Sequence, residues 1–302
     1  MLNTLNHLSG ASVCATDGDI GKVKAAFFDD QAWAVRYLVV DTGGWLSDRR
    51  VLLSPYSVKQ PLGRVDRIDV SLTCQQVKDS PDIDTHQPVS RQHERTLLGY
   101  YAYPDYWEGG GMWAGSGTPA LPAVMQAEVR DALDKVLHER DVRAGDVHLR
   151  DSTKVTGYDI RATDDSIGHV HDFVFDDESW AIRYLVVDTR NWWPGGQKVL
   201  VATQWIDRID WDTKSVYVTL TRDQVKRSPM YNEDAEILRD DEQRLHDVYG
   251  RPGYWTAAEG VASVDSEADT LPAHTSGPMF LPRTVAAPGA ANDKVGSTVP
   301  KD

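Results

Sequence analysis

His169 and His171 stand two residues apart, and on a strand such a pair projects from one face, where two imidazoles can share a metal ion. The matching positions in an earlier copy of this segment are Lys22 and Lys24, and no Cys or third His lies nearby. A solvated strand face is therefore the better reading. The acid pairs Asp29-Asp30 and Asp176-Asp177 suit Ca²⁺ or acid–base work, yet they fall where the chain is expected to reverse, and Asp bonds its own backbone in turns. Asp17-Gly18-Asp19 opens like a Ca²⁺ loop but lacks the later ligands. His93-Glu94 and His138-Glu139 have no second His four residues after the first, so the zinc-protease pattern is missing. Gly109-Gly110-Gly111 has no Lys-Ser/Thr of a phosphate loop, and Ser116 lacks the strand-turn-helix of a nucleophile elbow. No catalytic residue, metal set or cofactor motif emerges, and a non-enzymatic chain is expected.

Aromatic and arginine positions are more telling. Trp45, Trp192 and Trp193 follow Val-Asp-Thr in Gly- or Pro-rich loops, TGGWLSD and TRNWWPGG. Large rings at a loop tip bury much area and freeze few rotamers, which suits a docking surface; folding back over the sheet is the alternative. Arg36 and Arg183 lie inside apolar strands, where each needs a carboxylate or carbonyl, and Asp17, Asp29 and their counterparts are in reach. With Gly21, Gly168, Asp41 and Asp188 they are assigned structural roles. Tyr106-Trp107 and Tyr254-Trp255 are read as pins for a trailing helix.

The elements that position these residues occur twice. WAVRYLVVDT at 33–42 returns as WAIRYLVVDT at 180–189, an offset of 147 that becomes 148 after one inserted residue. Such an offset means duplication of a whole domain rather than a short solenoid period. The copies span 1–107 and 151–255. Between them, 108–150 reads as a Gly/Pro-rich linker followed by a short amphipathic helix at 123–140. Residues 256–302 hold few aromatics and read as a disordered acidic tail. Branched and aromatic runs predict strands at 23–28, 35–40, 51–53 and 68–72 and at their counterparts. Thr73 with Gln76 and Thr221 with Gln224 form capping boxes for short helices, and further helices are expected near 90–101 and 234–249. Many short strands with local connections predict a mainly β protein, two tandem small antiparallel barrels related by a pseudo-twofold.

Composition narrows the partners. The 302 residues carry 41% hydrophobic and 26% charged side chains, with 32 basic against 46 acidic residues and a net charge of −14. That charge repels phosphate backbones, so direct nucleic-acid binding is not expected. No apolar run reaches the ~18 residues of a membrane helix. Two cysteines suit a reducing compartment, and the expected location is cytoplasmic.

The pattern Asp-x-x-Ile-Gly, Phe-Asp-Asp, Trp-Ala-Val/Ile-Arg-Tyr-Leu-Val-Val-Asp-Thr and Val-Leu resembles the PRC-barrel domain. That domain forms the cytoplasmic part of the photosynthetic reaction centre H subunit and the C-terminal domain of a ribosome maturation factor, and many bacterial proteins carry one or two copies. The resemblance implies a docking or assembly module. Its implied partners are proteins, either a membrane complex or a basic protein, and a homo-oligomer is compatible with it. Its alternatives are an electron-transport accessory, with His169, His171, Asp172 and Asp176 as proton carriers, and a ribosome-assembly factor.

Overall fold

The computed structural model describes residues 1–46, 49–59, 62, 66–81, 89–107, 112–113, 116–119, 148–192 and 194–256. The helix expected at 123–140, Trp193, most of the linker and nearly all of the tail lie outside the described residues. The first repeat runs β1 (Leu2–Thr4), α1 (Leu5–Leu8), β2 (Ser12–Cys14), β3 (Asp19–Asp29), β4 (Ala34–Asp41), β5 (Arg50–Leu53), β6 (Arg67–Asp69), α2 (Cys74–Lys78) and α3 (Arg91–Tyr101). The second runs β7 (Leu149–Asp151), α4 (Ser152–Val155), β8 (Asp159–Arg161), β9 (Ser166–Asp176), β10 (Ile182–Asp188) and β11 (Lys198–Ala202). It continues through β12 (Ile206–Asp210), β13 (Ser215–Val218), α5 (Arg222–Lys226) and α6 (Arg239–Tyr249).

The protein is mainly β, with one sheet per repeat. The strand order is β5-β4-β3-β2-β6 in the first and β11-β10-β9-β8-β13-β12 in the second. Two expectations are corrected here. Among the described residues neither sheet closes into a barrel, because no ladder joins the end strands of either path. The sheets are also not wholly antiparallel: β6 lies parallel to β2, and β13 parallel to β8. A longer connection brings each late strand back beside an early one, which a tight hairpin cannot do. Register shifts within β3–β4 and β9–β10 let these long strands coil. Ala34 to Val40 are all buried, so apolar side chains on both parities of β4 are covered. Both short helices carry complete capping boxes, and α3 is capped by Ser90, whose hydroxyl accepts from the His93 amide.

The repeats are not two barrels side by side. They exchange their leading strands. β1 opens the first repeat yet pairs antiparallel with β9, Asn3 opposite Phe175; β7 opens the second yet pairs with β3, Arg150 opposite Phe28. The two acid pairs hold this exchange in place. The first carboxylate of each pair does turn work: Asp29 accepts from the amides of Gln31 and Ala32, and Asp176 from the amide of Glu178. The second clamps the visiting strand. Asp30 binds Arg150 at 2.6 Å and His148 at 3.1 Å, and Asp177 binds the Met1 amino group at 2.6 Å and Asn3 at 3.2 Å. A turn-only reading of these pairs is thus half correct.

At the pseudo-twofold itself, Ala34 bridges Ala181. The Val35 amide donates to the Trp180 carbonyl at 2.9 Å, and the Ile182 amide to Trp33 at 2.7 Å. Trp33 and Trp180 have φ of 50° and 59°, a left-handed backbone that a bulky residue keeps only when its surroundings hold it. Those two cross-axis bonds, and stacking of Trp33 on Phe28 and of Trp180 on Phe175, supply the hold. Phe28 also meets Phe173 at 5.3 Å, so the core is continuous across the repeats.

Candidate functional site

The tryptophan loops leave the sheet through a narrow neck. In the first repeat Asp41 accepts from the Gly43 amide at 3.0 Å, and the Thr42 hydroxyl donates to the Arg49 carbonyl at 2.6 Å. Arg49 in turn ties the loop to the end of α2 through the carbonyls of Lys78 and Ser80. In the second, Asp188 accepts from the Arg190 amide and pairs with its guanidinium, which holds this carboxyl down at about 2. Gly21 and Gly168 lie beneath the necks. A Cβ on Gly21 would stand 2.0 Å from the Asp41 carbonyl oxygen, and one on Gly168 2.4 Å from that of Asp188.

Trp45 and Trp192 occupy matching positions, and each indole N–H is anchored to the start of the long strand below. Trp45 donates to the Ile20 carbonyl at 2.5 Å, and Trp192 to the Ser166 hydroxyl at 2.9 Å. Their exposure differs. Trp45 is 42% exposed, whereas Trp192 is half-buried against His169 at 5.4 Å, with its carbonyl bound by Arg222. Trp193 lies outside the described residues.

Arg36 sits in a buried cluster. Its guanidinium lies between two rings, 3.9 Å from Tyr106 and 4.6 Å from Trp113. It donates to the Met112 carbonyl at 2.5 Å and pairs with Asp29 at 3.6 Å. Burial lowers its pKa against the pull of these partners. Trp113 is 1% exposed, packs edge-on against Tyr56, and donates its indole N–H to the Ser179 carbonyl across the repeat boundary at 2.8 Å. In the described part of 108–150, Trp113 is seated in the core and Met112, partly buried, packs against it. Behind them Glu94, 2% exposed, accepts from Tyr106 and pairs with Arg91 at 3.2 Å. The second repeat repeats the set. Arg183 stacks on Tyr254 at 4.0 Å and pairs with Asp176 at 3.4 Å, while Glu242 binds Arg239 and the Tyr184 hydroxyl. His246, fully buried, faces that hydroxyl through Nε2 and the Pro252 carbonyl through Nδ1. A carbonyl only accepts, so Nδ1 bears the proton, and burial lowers this pKa.

Residue-type motifs gave no role to Glu242, Arg91, Arg239 or Trp113, and touched Glu94 only in the failed zinc-protease pattern. A signal existed for Glu94, Glu242, Arg91 and Arg239: Arg-x-x-Glu recurs at the same 148-residue offset. Burial, opposed by Arg91, raises the Glu94 carboxyl to about 7 from an ordinary 4.5. The folded state thus holds this proton more tightly than the unfolded chain. Its stabilising effect is complete below about pH 4.5 and is lost as pH rises through 7, on the order of 3 kcal/mol in all. Urea unfolding across pH 5–7.5 should show that slope in the native chain and a markedly flatter profile in Glu94→Gln. Equal slopes would place the titration elsewhere.

The remaining candidates are scattered. Asp17 and Asp164 cap the short helices by accepting from the amides of Cys74 and Arg222. His171 pairs with Glu233, which also binds Lys198. Among the described residues no three His, Cys, Asp or Glu side chains converge to hold a metal.

With this geometry in hand, comparison with known proteins adds two findings. The sequence model of the PRC-barrel domain matches residues 3–79 and again 149–225, about half of the chain. An uncharacterized protein of Deinococcus radiodurans is 36% identical over 105 residues, an alignment covering 32% of this chain and 36% of that one. The chain therefore spans about a third of that relative's length. No described helix is long and apolar enough to cross a membrane.

Proposed function

The chain belongs to the PRC-barrel domain family, of which it carries two tandem copies, and on that premise we propose that it is a non-enzymatic interaction and assembly module. The observation that carries this reading is Trp45. Its ring is open to solvent while its N–H is already bonded at 2.5 Å and its loop is tied down by Arg49. An aromatic anchor held in place loses little further freedom when a partner covers it, which is what an interface hot spot needs. The net charge of −14 favours a partner with a basic surface, such as a ribosomal protein or the basic rim of a membrane complex. A cytoplasmic setting fits the two unbridged thiols, Cys14 and Cys74.

The test is affinity capture from the protein's own cells with the native chain and with Trp45→Ser. A hot-spot aromatic contributes at least about 2 kcal/mol, so the defined partner should fall about 30-fold while the variant's thermal unfolding is preserved. Equal capture by both would make the Trp45 loop structural and remove the basis of this reading.

A further inference from the structure

The pseudo-twofold gives the molecule an internal reference. In the first repeat Arg36 is covered: its side chain is 2% exposed, and Met112 and Trp113 close over it. The bridge between Ala34 and Ala181 sets the correspondence across the axis. Ser179 and Ala32 each lie two residues before the bridged alanine of their own repeat, in the matching turns that lead into β10 and β4. The Ser179 carbonyl is the one that receives the Trp113 N–H. Its counterpart is the Ala32 carbonyl.

Around Arg183 nothing plays the part of Trp113 among the described residues. The Arg183 side chain is 22% exposed, its guanidinium has Tyr254 on one face, and its Nε is buried without a hydrogen-bond partner. Ala32 and Trp33 are half-exposed, whereas their counterparts Ser179 and Trp180 are buried, Trp180 completely. One wall differs, since Gln204 stands where the first repeat has Tyr56; it leaves that edge polar.

We infer from the pseudo-twofold that Arg183, Tyr254, Ala32 and Trp33 form a half-open pocket and that it receives a tryptophan-bearing peptide segment of a partner protein, in the way the first repeat receives its own Met112–Trp113. The chemistry of the occupant is copied from that segment. An indole lies on the face of the Arg183 guanidinium opposite Tyr254, its N–H donates to the Ala32 carbonyl, and the preceding carbonyl accepts from Arg183. None of these residues belongs to the Trp45 loop, so this site stands or falls independently of the docking role proposed for that loop.

The probe is a synthetic peptide of residues 108–119, EGGGMWAGSGTP, labelled at its N-terminus and titrated with the full chain by fluorescence anisotropy. Saturable binding is expected, weakened at least tenfold by Arg183→Gln in the protein and, independently, by Trp→Ala in the peptide. The peptide change leaves the protein's fold untouched, so the second arm remains decisive if Arg183→Gln folds poorly. Absence of saturable binding, or binding that ignores both changes, overturns the proposal. So does sedimentation showing a dimer that Arg183→Gln converts to a monomer, because the occupant is then a second copy of this chain.

Discussion

Trp113→Ala is expected to lower the unfolding free energy by about 3–5 kcal/mol, the cost of deleting a large buried aromatic side chain. The reason is specific to where Trp113 sits. Its ring closes the Arg36 guanidinium against Tyr106, meets Tyr56 at 5.0 Å, and donates across the repeat boundary to Ser179. Truncation leaves a cavity and an uncovered arginine between the two repeats, and the structure can collapse onto it only in part. Trp113→Phe keeps most of the ring and loses the N–H bond, so its cost should be about 1–2 kcal/mol. Midpoints and slopes from denaturant unfolding give both values. A linker residue in solvent would change stability by no more than about 0.5 kcal/mol. A loss of under 1 kcal/mol for Trp113→Ala would return the segment to that status.

Gly21→Ala should be more damaging still, leaving little or no soluble folded protein. The added Cβ meets only backbone: the Asp41 carbonyl oxygen at 2.0 Å, its carbon at 2.8 Å and Thr42 Cα at 2.9 Å. No side chain can swing aside, so the β3–β4 ladder must open where Lys22 faces Asp41, beneath the Trp45 loop. Gly99→Ala is the matched control. Gly99 lies within α3 with open space at its Cβ, and there alanine should add up to about 1 kcal/mol through helix propensity. Soluble yield and near-ultraviolet circular dichroism separate the outcomes. A folded Gly21→Ala with native spectra would show that the neck yields, contrary to the contact distances.

How much of this was legible without coordinates can be traced residue by residue. The strand runs of 35–40 and 182–187 and both capping boxes are written in a few adjacent residues, and the duplication in a whole-domain repeat of identical residue types, so all of these read directly. The docking candidate Trp45 was visible as a ring in a Gly-rich loop, but its 42% exposure and the half-burial of its twin Trp192 depend on neighbours distant in the chain. Glu94 could not be recognised as buried from its type, because charged residues enter a core only when partners such as Arg91 and Tyr106 arrive with them.

By itself, then, the sequence determined a mainly β protein of two related units, the ends of its short helices, and the need of Arg36 and Arg183 for partners inside apolar strands. Tertiary structure alone decided that β1 and β7 trade places, that the second acid of each pair clamps the visitor, that the sheets stay open among the described residues, and that Met112 and Trp113 fill one arginine pocket. The physical reason is a difference in range. Periodicity and capping act over three or four residues, whereas an unpaired strand edge or an uncovered guanidinium is satisfied by whichever group reaches it first in space. A duplicated chain offers two equivalent candidates for each such group, and only their packing selects between them.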